Sequence, residues 1–410
     1  MKYILVIGDG MADNAVDLLG DKTPLEYTKI PNIDALAEKG TVGWVKNCPE
    51  GLPAGSDTAI LSIMGYDPNV YFTGRAPLEA AASDILLQEG NIAYRCNLVS
   101  LEDKDAPMSQ KKILSHCAGS IEGEDALKVL DILLSNPKFT EEAKKQGVTI
   151  HPAPSFRHMT VQEKGSVEGA VYTPPHDHLG EVCGEYLPKG NETAENLLRL
   201  MEIAHEILNE HPFNMERREK ILAPANGIWF WAEGTAVTLS PFREKFGKTG
   251  AMISAVPLCH GIAKLVGLKA PIVPGATGEL ETNYEGKVFM AMNLLEDHDF
   301  VAIHIEAPDE CTHAGDLEGK IEAIRRIDQQ VIAPIVQKMD GKDFRLLLIS
   351  DHKTLIATRG HDADYVPYLI YDSRVDSKKG LPYSETAGEK GPRFEDGAAT
   401  CMPLLFQERE

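Results

Sequence analysis

Tyr3-Ile4-Leu5-Val6-Ile7-Gly8-Asp9-Gly10 runs through five consecutive apolar residues and stops at a glycine and an acid. An apolar run with no polar alternation predicts a strand buried on both faces, as in a parallel sheet. The same pattern recurs in Phe300–Ile305, Phe344–Ile349 and Tyr368–Tyr371, each bounded by polar residues, glycine or proline. Four buried parallel strands are therefore predicted. Helical patterns alternate with them. Ile33–Glu38 follows Pro31-Asn32 and stops at Gly40, with Asn32 as its expected N-cap. Lys320–Val336 carries Ile321, Ile324, Ile327, Val331 and Ile332 at helical spacing. The alternation predicts an α/β fold around a central, mostly parallel sheet.

The middle of the chain breaks this rhythm. Between Ser83 and Lys248, helical patterns at Gly123–Leu134 and Glu192–Leu208 mix with strand-like pieces at Val148–His151, Arg157–Gln162 and Ile228–Trp231. We expect a smaller α+β domain, about 85–245, inserted into a core made of 1–84 and 246–410. A chain of 410 residues has room for both. Lys and Arg total 41 against 62 Asp and Glu, a net charge of −21. Nucleic-acid backbones and anionic membranes need clustered positive charge, so neither is an expected partner. A small anion can still bind at a local cationic patch. The run Tyr3–Ile7 is too short for a signal-peptide core or a membrane span. The seven cysteines are scattered with no Cys-x-x-Cys pair, which argues against a disulfide framework or a structural zinc site. A reduced, cytoplasmic setting is the expectation.

The placement of acids and histidines relative to these strands points to chemistry. Asp9 follows the first strand directly. Asp309 and His313 follow Phe300–Ile305 in what reads as a loop, and Asp351-His352 follow Phe344–Ile349. His361 lies in the next loop, before the strand that starts near Pro367. In open α/β sheets ligands gather beyond the carboxyl ends of the strands. Taken singly, each acid reads as a cap or turn residue. Six such residues at three strand ends and one following loop make the donor set of a metal centre with oxygen and nitrogen ligands. Ser56, in Gly55-Ser56-Asp57-Thr58-Ala59, sits where a helix begins, either as a simple N-cap or as an oxyanion site. Beside metal ions a serine hydroxyl needs no histidine base. Arg75, Arg95, Arg157 and Lys287 are cations suited to a carboxylate or phosphate, as is the pair Arg217-Arg218.

Together these motifs resemble the cofactor-independent phosphoglycerate mutases of the archaeal type, members of the alkaline-phosphatase superfamily. The resemblance runs along nearly the whole chain. It includes Ile7-Gly8-Asp9-Gly10-Met11, Ile30-Pro31-Asn32-Ile33-Asp34, Gly65-Tyr66-Asp67-Pro68 and Thr73-Gly74-Arg75-Ala76-Pro77-Leu78-Glu79-Ala80. It continues in Thr173-Pro174-Pro175-His176-Asp177, Pro274-Gly275-Ala276-Thr277-Gly278 and Glu306-Ala307-Pro308-Asp309-Glu310. It implies a phosphatase-like core with an inserted domain closing over the site. It also implies that Asp9, Ser56, Asp351 and His352 hold one divalent metal, and Asp309, His313 and His361 another, either manganese or magnesium, with zinc as the third choice. Ser56 would be the phosphorylated nucleophile. Arg75, Arg95, Asn97, Arg157, His176, Asp177 and Lys287 would bind substrate or handle protons. The implied reaction interconverts 3-phosphoglycerate and 2-phosphoglycerate on a small phosphorylated carboxylate, and a homo-oligomer is compatible with it. The alternative is a homoserine kinase on the same metal–serine site, because Pro49-Glu50-Gly51 and Trp229-Phe230-Trp231 look like a bacterial branch proposed for that role. No Gly-x-x-x-x-Gly-Lys-(Ser/Thr) loop is present to support an ordinary nucleotide site. Two places depart from the family pattern: Ser120, in His116-Cys117-Ala118-Gly119-Ser120-Ile121, replaces a cationic or imidazole group, and Lys353 stands where proline is common.

Overall fold

A computed structural model of the chain describes residues 1–375 and 380–407. Its contacts divide the chain into two units, Met1–Phe72 with Thr238–Glu410, and Thr73–Val237. The cuts fall before the expected 84/85 and 245/246. The helix Arg75–Ala82 belongs with the second unit because Ala76 and Ala80 pack on Ala93 and Met159 of that unit's sheet.

Among the described residues the first unit is built on a seven-stranded sheet: β1 (Lys2–Gly8), β2 (Thr41–Val45), β3 (Gly250–Ile253), β4 (Phe300–Ile305), β5 (Phe344–Ser350), β6 (Val366–Asp372) and β7 (Arg393–Phe394). They lie in the order β7-β2-β6-β5-β1-β4-β3. Four adjacent strands, β5, β1, β4 and the edge strand β3, run parallel, and the first three carry the continuous apolar runs expected of strands buried on both faces. Ile4 and Val6 face one core layer, shared with Ile33 and Leu36, with Val288 and Leu295, and with Ile324, Ile327 and Ile335 from three flanking helical segments. Tyr3 faces the other side, in an aromatic layer with Phe406, Phe242 and Phe300.

Three sequence expectations need correction. Tyr368–Tyr371 does form a buried strand, but β6 runs antiparallel to both β5 and β2. The chain reaches β6 from β5 through the small hairpin Lys353–Leu355/Gly360–Asp362, with no crossover helix, so it returns in the opposite direction. The helix near residue 33 spans Pro31–Lys39 with Ile30 at its N-cap, so Asn32 is already inside it. Asp328 does the capping from a distance: it accepts the Ile33 N–H at 2.8 Å and the Asn32 amide at 2.8 Å. The predicted helix 320–336 is a longer helical segment, Leu317–Arg326 then Ile327–Ile332 then Ala333–Lys338, whose middle widens into a π turn ahead of Pro334. Proline supplies no N–H to the regular ladder, which accounts for the widening.

The second unit has a five-stranded sheet. Its centre is Ile92–Leu101, which pairs antiparallel with Arg157–Gln162, Gly227–Thr235 and Ile113–Ser115, while Val148–His151 pairs with Arg157–Gln162. Tyr94, Cys96 and Leu98 face a layer containing Val129, Leu130, Leu197 and Met201 from the helices Gly123–Leu134 and Glu192–Asn209. Strand alternation turns Ala93, Arg95 and Asn97 to the opposite face. Among the described residues no helix is long and apolar enough to cross a membrane.

Candidate metal centre

Register assembles the site. Gly8 is level with Ser350 on one side and with Ile305 on the other. The residues just beyond that rung, Asp9, Asp351-His352 and the segment from Glu306, therefore emerge together at the carboxyl edge. Gly10 makes the turn after β1 with φ +58°, and a Cβ there would lie 2.4 Å from Thr354 Oγ1 and 2.7 Å from Asp309 Oδ1. Asn47 secures the neighbouring turn by donating its amide to the carbonyls of Ser350 (3.1 Å) and Asp351 (2.9 Å).

Asp9, Asp351 and His352 form one group of converging donors. Asp351 Oδ1 accepts the N–H groups of Gly10 (3.0 Å) and His352 (2.9 Å), whereas its buried Oδ2 has no hydrogen-bond partner. The Lys353 carbonyl, 3.2 Å from His352 Nδ1, can only accept, so the proton sits on Nδ1 and the Nε2 lone pair faces the acids. That Nε2 lies 3.3 Å from Asp351 Oδ2, 3.5 Å from Asp9 Oδ1 and 3.2 Å from Ser56 Oγ. Ser56 is the first residue of the helix Ser56–Ile63, and Gly55 holds the N-cap position. The cap reading of Ser56 is thus corrected: its hydroxyl makes no capping bond and stands 3.2 Å from Asp9 Oδ2.

Asp309, His313 and His361 form the second group. The segment read as a loop is a helix, Ala307–His313, with Pro308 in its first turn. Helical spacing of four residues places Asp309 and His313 on one face, with Asp309 Oδ2 3.0 Å from His313 Nε2. His361 belongs to the short strand Gly360–Asp362, not to a loop, and its Nε2 lies 3.4 Å from Asp309 Oδ1 and 2.9 Å from His313 Nε2. Both histidines donate Nδ1–H to carbonyls, His313 to Arg359 (2.8 Å) and His361 to Ala54 (3.0 Å). Their Nε2 atoms are thereby turned to each other and to Asp309, where protons bridge them to the carboxylate and a cation would take the protons' place. Cys311, on the same helix, is buried and joins neither group.

The electrostatics agree with a cationic occupant. Burial, then Asp351, Asp309 and Glu306, push the Asp9 carboxyl well above the usual carboxylate range. Burial works against ionised Asp309 too, but hydrogen bonds from His313 and His361 hold its carboxyl well below that range. The contact with Asp309 in turn lifts His313 to about 9. An orphaned carboxylate oxygen and three imidazoles whose Nδ1 atoms are engaged by carbonyls, leaving Nε2 toward the acids, fit divalent cations with oxygen and nitrogen donors.

The remaining sequence candidates are distributed over both units. In the second unit, Arg95 and Asn97 share a sheet face with Arg157, which is directly opposite Asn97. Glu79 ties two of the arginines together, accepting from Arg95 Nε at 2.7 Å and from Arg75 Nε at 3.1 Å and also pairing with Arg95 Nη2. Burial opposes its ionisation, but Arg95 and Arg75 bring the Glu79 carboxyl down to about 2. Trp231 lies under Arg95, 4.8 Å from ring to guanidinium, and donates to Asn97 Oδ1 at 3.0 Å. His176 packs against the same tryptophan at 5.0 Å, with Asp177 Oδ1 3.5 Å from its Nε2. Lys287, in the first unit, is buried on the helix Tyr284–Asp297, and burial pushes its ammonium down to about 8. Arg217 and Arg218 are engaged structurally, with Asp125 and Asn209. Sequence reasoning missed Glu79, Trp231, Thr354 and His304. His304 carried a usable signal as the single polar residue in the apolar run Phe300–Ile305, while Glu79 and Trp231 stood inside quoted motifs with no role assigned to them.

Comparison with known proteins adds an independent line. The family model described as 2,3-bisphosphoglycerate-independent phosphoglycerate mutase matches residues 37–214. A Methanosarcina barkeri protein named 2,3-bisphosphoglycerate-independent phosphoglycerate mutase is 40% identical over 394 residues, covering 95% of this chain and 96% of the relative. A Geobacter sulfurreducens protein given that name as probable is 39% identical over 408 residues, covering 99% of this chain and all of the relative. A solved structure from Pyrococcus horikoshii superposes with a TM-score of 0.81 at 29% identity, covering 100% of this chain and 99% of that one. The cofactor-independent phosphoglycerate mutase of Thermoplasma acidophilum shares the fold, with a TM-score of 0.65 at 24% identity over 99% of both chains. The chain belongs to the family of 2,3-bisphosphoglycerate-independent phosphoglycerate mutases.

Proposed function

We propose that the protein interconverts 3-phosphoglycerate and 2-phosphoglycerate without a nucleotide, passing the phosphoryl group through Ser56. The observation that carries this reading is the position of the Ser56 hydroxyl, 3.2 Å from both Asp9 Oδ2 and His352 Nε2 at the start of a helix. Its support is membership of a family whose named relatives are phosphoglycerate mutases. We assign one divalent cation to Asp9, Ser56, Asp351 and His352, and a second to Asp309, His313 and His361, either manganese or magnesium. When bound, such cations lower the pKa of a serine hydroxyl and offset charge on a phosphoryl group.

Ser56 Oγ forms a bond to phosphorus while the bond from phosphorus to the substrate's 3-oxygen breaks. The proton lost by the serine hydroxyl matches the one gained by the glycerate hydroxyl. Glycerate turns, its 2-oxygen bonds to phosphorus, the Oγ–P bond breaks, and the proton returns to Ser56. Arg75, Arg95, Asn97 and Arg157, with His176, Asp177 and Lys287, are assigned to holding carboxylate and phosphate or to handling protons. In one test, manganese-loaded protein receives 3-phosphoglycerate alone or homoserine with ATP, and the products are read by phosphorus NMR. We expect 2-phosphoglycerate in the first reaction, phosphate on the Ser56 peptide by mass spectrometry, and no turnover by Ser56→Ala. Homoserine phosphorylation without 2-phosphoglycerate would replace this reading with the kinase one.

A further inference from the structure

His304 is a fully buried imidazole in the middle of an otherwise apolar strand. A polar side chain in such a place is costly unless its donors and acceptors are paired. Both ring nitrogens of His304 are paired, and the pairing leads to the candidate metal centre. Nε2 lies 2.9 Å from Asp9 Oδ2, and Nδ1 lies 3.1 Å from Ser254 Oγ. The parallel register produces the first contact. His304 is level with Ile7, and Asp9, two residues further on, continues the ladder by donating its N–H to Ile305 O at 2.9 Å. Residues i and i+2 share a strand face, so Asp9 stands above His304 on the same side.

Ser254 follows directly on β3 and is 1% exposed. Its Oγ accepts the Val256 N–H at 2.9 Å, and its hydroxyl proton turns to His304 Nδ1, because an ionised Asp9 carboxylate only accepts and draws the ring proton to Nε2. The ring proton then sits on Nε2 and is donated to Asp9 Oδ2. Cys259 also lies within hydrogen-bond range of the ring. Asp9 Oδ1, the oxygen that His304 does not hold, is the one 3.5 Å from His352 Nε2.

We infer that His304 is a positioning residue for the Asp9 group. It fixes the rotation of the Asp9 carboxylate about its bond to Cβ, and so sets the affinity of that group for a divalent cation. The inference rests on the reading above, in which the two groups hold cations. The Asp309 group has no contact with His304 of this kind, which makes it an internal control.

The experiment is a manganese titration of chelator-stripped protein, with free Mn2+ read from its electron paramagnetic resonance signal. His304→Asn places an amide near Nδ1 but cannot reach Asp9, whereas His304→Gln carries a donor near the position of Nε2. We expect His304→Asn to weaken one of two sites by about 10–100-fold, the usual loss when support around a ligand is removed, and to leave the other unchanged. His304→Gln should restore most of that loss. In a His361→Ala background, where the Asp309 group is disabled, the weakened site should be the one that remains. Unchanged affinity in His304→Asn, or equal weakening at both sites, overturns the inference and leaves the functional reading standing. Wild-type protein that binds no manganese overturns the functional reading and the inference with it. If His304→Asn fails to fold, Ser254→Ala carries the test, with weakening of the same site by a smaller factor supporting the inference and unchanged affinity overturning it.

Discussion

Replacing Glu385 with glutamine should remove a pH-dependent load on the first unit. Glu385 is buried at the start of the helix Glu385–Glu389. Its oxygens accept the Asp13 N–H at 3.1 Å and the Thr23 hydroxyl at 2.6 Å. Burial pushes its carboxyl from an ordinary 4.5 up to about 7 despite these bonds. A carboxyl whose folded value is raised binds its proton more tightly in the folded state. Stability is therefore full below the unfolded value and falls as pH rises towards 7. The difference between 4.5 and about 7 corresponds to about 3 kcal/mol between pH 4 and pH 8. Glutamine carries no charge in that window. Its carbonyl can still accept from Asp13 N–H, and its amide can donate to Thr23 Oγ, which already accepts the Glu26 N–H. The measurement is urea unfolding of wild type and Glu385→Gln across pH 5 to 8. The variant should gain on wild type as pH rises, by about 2–3 kcal/mol over the range. A difference that stays flat would refute the reasoning.

Lys320→Met removes the buried partner of Asp13, 2.8 Å away, and should cost about 3–5 kcal/mol in urea unfolding at pH 7 because the carboxylate is left uncompensated. Gly10→Ala puts a methyl group on a left-handed residue 2.7 Å from Asp309 Oδ1, so the Asp309 group should lose manganese affinity and the fold should lose about 1–3 kcal/mol. Glu79→Gln should destabilise the second unit by about 3 kcal/mol at neutral pH, read by hydrogen exchange in Ile92–Leu101. The stabilisation that Glu79 gives is present above 4.5 and is lost as pH falls through about 2, so the gap between variant and wild type should close in acid.

What was legible in the sequence is what local pattern controls. Tyr3–Ile7, Phe300–Ile305 and Phe344–Ile349 read as parallel strands because two-sided burial leaves no polar alternation, and all three are central. The helix at Gly123–Leu134 matches its predicted bounds, since a single amphipathic stripe defines it. Direction was not legible: β6 looks as apolar as its neighbours, and its antiparallel sense comes from the connection alone. The helix Ala307–His313 was hidden because seven residues with one proline and four ionisable groups carry no apolar period. The acids and histidines at the strand ends were visible, but their separation into two groups depends on register and on ring orientation. His304 and Glu79 act through partners distant in sequence or on another element, which one-dimensional spacing does not reveal.

The shared rung at Gly8, Ile305 and Ser350 also limits how the chain can change length. One residue added inside β1, β4 or β5 advances the following segment by about 3.3 Å and turns each later side chain of that strand to the opposite face. An insertion in β1 would move Asp9 off the side on which His304 and Ser56 await it. An insertion between strands, beyond the carboxyl-edge residues, shifts none of them. Lineages of this fold should therefore accumulate insertions and deletions in the connections, while the number of residues from Tyr3 to Asp9, from Phe300 to Asp309 and from Phe344 to His352 stays fixed.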